Sequence, residues 1–315
     1  MLMPIVAKLT SESLLSLYPI FVKKIGISMT LQMWTRTIAY VLIAAVFVDW
    51  SFLKSAIFST NSLLLAIVNL AHIFFSYEGF RHLDSGVSFA IFNTYPIMIL
   101  LMEVFRTGTL ETSTGRVGSK GPLVNIIKQD YTKYLLVLAG LAFFIYGNFD
   151  EKKENTEPKV ATESFSNKDK GKVENPHFLY GLAMILLAAF TEALIYFLVR
   201  MVKTENHWNH VFISYFLGAI AMTAYVFYAD GFSVSKVAET LSNARVGIAT
   251  ALNGFIGSVG YFLRFYASYN LEASMFAILS YFGIIMSYVY GIAFNNESLT
   301  LAKVLGTLCV ILSIR

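Results

Sequence analysis

Apolar runs of roughly 17–25 residues, separated by short polar stretches, fill most of the chain. A run of that length spans a hydrocarbon core of ~30 Å as a helix. In the first half the runs cover residues 3–22, 28–48, 56–77, 85–105 and 131–148. In the second half they cover 177–201, 211–228, 246–266, 273–294 and 299–314. The pattern predicts an all-α polytopic membrane protein with ten transmembrane helices, five in each half. A polar turn is expected over residues 78–84, after the third run.

The two halves echo each other. Leu83-Asp84-Ser85 and Phe89-Ala90-Ile91 recur as Leu271-Glu272-Ala273 and Phe276-Ala277-Ile278, at offsets of 188 and then 187. Ser11-Glu12-Ser13-Leu14 recurs as Thr191-Glu192-Ala193-Leu194, and Lys23 falls on Lys203, both at an offset of 180. Matches in one order at nearly one offset point to a duplicated unit. A unit of five crossings enters the bilayer from opposite sides in its two copies. The halves are therefore expected to be inverted repeats, with a substrate site near mid-membrane between them. The predicted division is a first repeat over 1–149, a linker over 150–176 and a second repeat over 177–315.

Composition agrees with a membrane chain. Hydrophobic residues make up 56% and charged residues 14%, where a soluble domain carries about a quarter charged. The net charge of +4 resides in loops, so no nucleic-acid partner is implied. Cys309 is the single cysteine, which excludes a disulfide framework. The N-terminus lacks the basic region and small-residue cleavage site of a removable signal peptide. Residues 150–174 hold six lysines, seven acids and one aromatic, Phe165. Such a segment buries too little apolar surface to order itself, and a disordered, solvated linker is expected. Residues 106–133 hold five basic residues against Glu111 and Asp130. By the positive-inside rule this loop is cytoplasmic, and with ten spans both termini are too. Lys23, Lys24 and Arg81 then lie on the other side and count against that orientation.

Several motifs carry a resemblance. They are the fourth run through Tyr95-Pro96, the run Asn296-Glu297-Ser298-Leu299-Thr300 followed by Gly306, and Arg36 in the second run. In these the chain resembles the drug/metabolite transporter superfamily, of the EamA type. The first half departs from that pattern after Pro96: its acidic turn is either Glu103 or Glu111, and a basic insertion precedes the fifth run. The resemblance covers nearly the whole chain apart from the two loops. It implies ten helices in two homologous halves and, as partners, a small-molecule solute and the lipid bilayer; it is silent on the substrate. A homodimer is left open.

Candidate chemistry comes from groups that a bilayer excludes. Glu12 and Glu192 occupy equivalent mid-span positions, where a carboxylate costs several kcal/mol unless paired, hydrated or protonated. Lys8 lies one turn before Glu12, on the same helix face. Ser16 and Pro19 continue that face, as Tyr196 does after Glu192. These stripes either line a shared cavity or hold structural contacts, with Lys8–Glu12 a buried ion pair and Glu192 bonded to Thr191 or a neighbouring helix. The resemblance implies that the third, fourth, eighth and ninth spans line the cavity with His72, Asn93, Tyr95, Arg264, Tyr266, Ser280 and Tyr281. Each also has a structural alternative as a satisfied interior residue. Arg36 and Arg264 either snorkel to the interface or, for Arg264, hold an anionic solute group. Pro96 and Gly283, partners in the repeat, are expected to loosen their helices at cavity depth. Gly254, Gly257 and Gly260 are expected to permit close packing.

The function these features support is a secondary, alternating-access carrier of a small organic solute such as an amino acid, amine or other metabolite. Glu192 and Glu12 are the candidates for proton coupling, with Glu192 favoured because no lysine lies one turn away. The mid-span acids favour cationic, zwitterionic or neutral solutes. The alternatives are a nucleotide-sugar or sugar-phosphate exchanger of the same superfamily, and a channel or non-transporting membrane protein. The chain carries no His-Glu-x-x-His, no Gly-x-Ser-x-Gly and no His/Asp cluster. No enzymatic activity, catalytic residue, metal site or cofactor is expected.

Overall fold

The computed structural model describes residues 2–99, 102, 131–154, 177–202, 204–271 and 273–313. Among them all regular structure is helical. The first apolar run is broken into α1 (Leu2–Leu15) and α2 (Tyr18–Lys24). Pro19 stands in the first turn of α2, where its missing N–H has no partner to lose. Next come α3 (Met29–Ala45), a short α4 (Trp50–Ala56), α5 (Thr60–His82) and α6 (Ser85–Phe92). The chain turns at Asn93-Thr94 and is helical again over 95–99. After α7 (Tyr131–Glu154), the second half holds α8 (Phe178–Met201) and α9 (His207–Ala224), which ends in a π-helical turn over Tyr225–Ala229. It closes with a short α10 (Val234–Ser242), α11 (Ala244–Asn270), α12 (Ala273–Asn295) and α13 (Leu301–Ser313). Side-chain oxygens accept from first-turn N–H groups at several starts: Ser28 at α3, Asp49 at α4, Ser59 at α5 and Asn243 at α11.

Six helical stretches among the described residues are long and apolar enough to cross a membrane: Leu2–Lys24, Thr60–His82, Phe178–Val199, His207–Ala229, Ala244–Asn270 and Met275–Asn295. The outside of the molecule is apolar, with Ile67, Ile248, Phe255 and Ile285 all more than half exposed. The inside is polar, with Lys8, Glu12, Asn93, Glu192 and Ser280 fully buried. That inversion of the soluble pattern suits a hydrocarbon surround, where ionisable groups face the bundle interior.

The packing is reciprocal between the halves. α1 packs on α11 as α8 packs on α5; α3 packs on α11 as α9 packs on α5; α1 packs on α12 as α8 packs on α6. The remaining main contacts join equivalents directly: α3 with α9, α6 with α12, and α7 with α13. The short helices α4 and α10 fall in corresponding links of the two halves.

Several boundaries differ from the hydropathy pattern. The polar turn expected over 78–84 is mostly the last turn of α5, because Glu78 pairs with Arg81 (3.1 Å) and His82 (3.4 Å) along the helix itself. The fifth run continues past residue 149 to Glu154. The rest of the linker, the basic loop up to residue 130, Glu103 and Glu111 lie outside the described residues. Thr94 and Pro96 mark a real interruption, whereas α12 passes through Gly283 unbroken. Gly283 serves close approach instead: a Cβ there would lie 2.6 Å from Glu12 Oε2 and 2.7 Å from the Phe89 ring.

Candidate functional site

α1 and α8 bring Glu12 and Glu192 to the middle of the molecule, and α11 delivers one guanidinium between them. Arg264 donates from Nη2 to Glu12 Oε1 and from Nη1 to Glu192 Oε1, both at 2.7 Å. Lys8, one turn before Glu12, pairs with the same Oε1. The three groups of Glu12, Glu192 and Lys8 are fully buried, and Arg264 nearly so. Arg264 therefore does not snorkel. Its planar fork has two separate arms, which a lysine ammonium lacks. Glu12 Oε2 has no hydrogen-bond partner.

On its second oxygen Glu192 meets His72 Nε2 at 3.3 Å and Tyr261 Oη at 3.5 Å. His72 and Tyr261 are themselves 3.3 Å apart, and His72 Nδ1 lies 3.1 Å from the Ala188 carbonyl. That carbonyl accepts, which puts a proton on Nδ1 and leaves Nε2 as the acceptor when the ring is neutral. Thr191 does not bind Glu192. Its hydroxyl donates back to Leu187 and Ala188, within its own helix.

Tyr95 bridges the far side of the cluster. Its hydroxyl is 3.0 Å from Ser280 Oγ and 3.4 Å from Lys8 Nζ, and its ring stacks on Tyr196 with centroids 5.6 Å apart. The Lys8 ammonium also sits over the Phe276 ring, 3.5 Å from its centroid. Of the sequence candidates, Glu12, His72, Tyr95, Glu192, Tyr196, Arg264 and Ser280 thus form one connected group. Two bond elsewhere. Ser16 donates to the Ser13 carbonyl at the α1–α2 break, and Asn93 donates to the Phe89 carbonyl at the end of α6. Tyr281 packs at the margin of the core.

Sequence reasoning left Arg36 out of the candidate set. It does not reach an interface: it is 1% exposed. Its guanidinium carbon lies over the rings of Tyr18 (4.3 Å), Tyr40 (5.2 Å), Tyr77 (5.4 Å) and Tyr261 (5.7 Å). Nη2 is 3.4 Å from Tyr215 Oη, and Nε has no partner. The signal was present as a charge inside an apolar run, but spacing along one helix does not show which rings from other helices surround it. A cavity of about 10 Å³, the room of roughly one water, runs between Arg36, His72 and Arg264, with Phe80, Phe89 and Phe92 on its wall.

One end of the bundle is tied by a second polar group. Glu297, after α12, accepts from Lys23 Nζ (2.9 Å), from the Ser85 N–H and hydroxyl (both 2.7 Å), and from Asn295 (3.2 Å). Burial pushes its carboxyl up, but the Lys23 charge and these hydrogen bonds win and hold it below the usual range. Lys303 pairs with Asp84 beside it (2.7 Å). Among the described residues no group of three or more His, Cys, Asp or Glu is placed to hold a metal ion.

No curated protein matches the chain. A solved crystal structure of a protein with 13% identical residues superposes over 99% of this chain and 94% of its own, with a TM-score of 0.54. At that identity the likeness is one of fold, and it spans both halves. Residues 179–315 match the model of the EamA-like transporter family, part of the drug/metabolite transporter superfamily.

Proposed function

We propose that the protein is a secondary carrier that exposes a central site alternately to the two sides of a membrane. It is a multi-pass integral membrane protein, and its ten apolar segments divide into two inverted five-helix repeats, 1–149 and 177–315. The reciprocal packing of the halves supports this plan, as does the sequence repeat. The observation that carries the function is the Glu12–Arg264–Glu192 bridge, which joins equivalent acids of both halves at the buried centre. Mid-membrane ionisable groups mark solute and proton pathways, and a site between repeats is where rocking of one half on the other alternates access. With the interior buried and one end tied at Glu297, this conformation is a closed one.

Proton coupling belongs on Glu192, His72 and Tyr261, three groups within hydrogen-bond reach of one another. The absence of a nearby lysine no longer distinguishes Glu192, since Arg264 holds both acids. The distinguishing feature is its imidazole neighbour. The solute is a small organic molecule. The test is counterflow in vesicles reconstituted with the purified protein and loaded with amino acids, amines or sugar phosphates. Accumulation of labelled solute against its gradient is expected for one class, and simple equilibration of every permeant solute would indicate a channel. The phosphate-exchanger reading draws specific support from Arg36, a buried cation with no carboxylate beside it among the described residues.

A further inference from the structure

At the buried centre Lys8 and Arg264 each have a carboxylate beside them, while among the described residues Arg36 has rings and one hydroxyl. Lysine or histidine escapes such burial by releasing a proton, but arginine does not deprotonate in proteins. Cation–π contacts offset only part of the desolvation of a charge.

The surroundings of Arg36 supply donors as well as charge. Its Nε and the hydroxyls of Tyr18 and Tyr40 are buried with no hydrogen-bond partner. The two hydroxyls converge on Gly257 of α11, where a Cβ would lie within 1.9 Å of either oxygen, so that only a glycine leaves room for them. An oxyanion accepts several hydrogen bonds at once and matches a guanidinium edge with two oxygens. We propose that Arg36, with Tyr18 and Tyr40, is the binding site for a single oxyanion group of the transported solute, and that the solute is a small organic anion. The phenylalanine wall of the adjoining cavity, Phe80, Phe89 and Phe92, takes its apolar body. In the closed conformation that cavity has room for about one water, so the solute enters as the wall moves. This inference rests on the carrier reading and names its substrate class. It reverses the preference for cationic solutes drawn from the mid-span acids, because both acids are already occupied by Arg264 and Lys8.

Equilibrium binding tests it without any transport. Thermal unfolding of the purified protein is followed in benzoate, in inorganic phosphate and in choline chloride, each against sodium chloride at matched ionic strength. Benzoate or phosphate is expected to raise Tm with a saturating dose dependence, the stronger of the two showing whether the oxyanion is a carboxylate or a phosphate. Choline is expected to leave Tm unchanged. Arg36→Gln should abolish the anion shift. If that variant does not fold, Tyr18→Phe and Tyr40→Phe decide, since each keeps its ring and removes one donor. Each should weaken anion binding by roughly tenfold, as loss of a hydrogen bond to a charged group does. An anion shift unchanged in these variants, no shift with either anion, or stabilisation by choline alone overturns the proposal. Anion binding through Arg36 without counterflow of any solute would sink the carrier reading and leave this site standing.

Discussion

Arg264 gives each terminal nitrogen to a different carboxylate, and those carboxylates come from opposite halves of the chain. Removing it leaves two buried anions with Lys8 as their remaining cation, and breaking a buried pair from one side costs about 3–5 kcal/mol. Arg264→Gln should lower Tm strongly. The double change Arg264→Gln, Glu192→Gln should recover much of the loss, because Lys8 and Glu12 then remain as one pair. Thermal unfolding in one detergent compares the three proteins, and equal Tm values for the single and double variants would contradict the charge account. Gly283→Ala is a purely steric counterpart. Its methyl would sit 2.6 Å from Glu12 Oε2, and overpacking of that kind costs about 1–3 kcal/mol, so a lower Tm with the charges intact is expected. Much of this centre was legible in the sequence. Glu12, Glu192 and His72 stand out as polar groups in apolar runs. That Arg264 joins the acids, and that Arg36 is caged rather than snorkelling, was not legible, because both facts depend on which helices meet.

Helix ends show the same division between local and long-range causes. Apolar run length located α5, but its end was placed early because Glu78, Arg81 and His82 look like a loop until their pairing along one helix is seen. α4 and α10 were missed, being short segments that hydropathy reads as loop. The tie between α2, α6 and the α12–α13 link has a pH consequence. The Glu297 carboxyl is held below its ordinary 4.5 in the folded protein. Its stabilising contribution is therefore complete above that value and is lost as pH falls through the folded value. Acidification below about pH 4.5 should loosen this end, read as faster labelling of a cysteine placed at Ser85 in a Cys309→Ser background, relative to a free thiol at the same pH because the thiolate fraction itself falls with acid. Glu297→Gln should label quickly at neutral pH and lose that acid dependence. Labelling that accelerates on acidification equally in both proteins would assign the effect to another group.

For the molecule as a whole, the helix contacts of the first half have counterparts in the second, in line with the proposed repeat that the sequence offset suggests. Lys23 and Glu297 lie far apart in the sequence, and their contact ties α2 to the α12–α13 link. If the halves rock about the central bridge, this contact breaks once in every cycle. A bridge that cannot break should then stop exchange without unfolding the protein. Replacing Lys23 and Glu297 by cysteine in a Cys309→Ser background permits joining them with a short cleavable bis-thiol reagent. The joined protein should bind solute from the other side but lose exchange in vesicles, and cleavage of the linker should restore it. Each single-cysteine variant treated with the same reagent serves as the control for modification alone. Exchange at an undiminished rate in the joined protein would mean that this end stays shut throughout the cycle, and that the path to Arg264 opens between other helices.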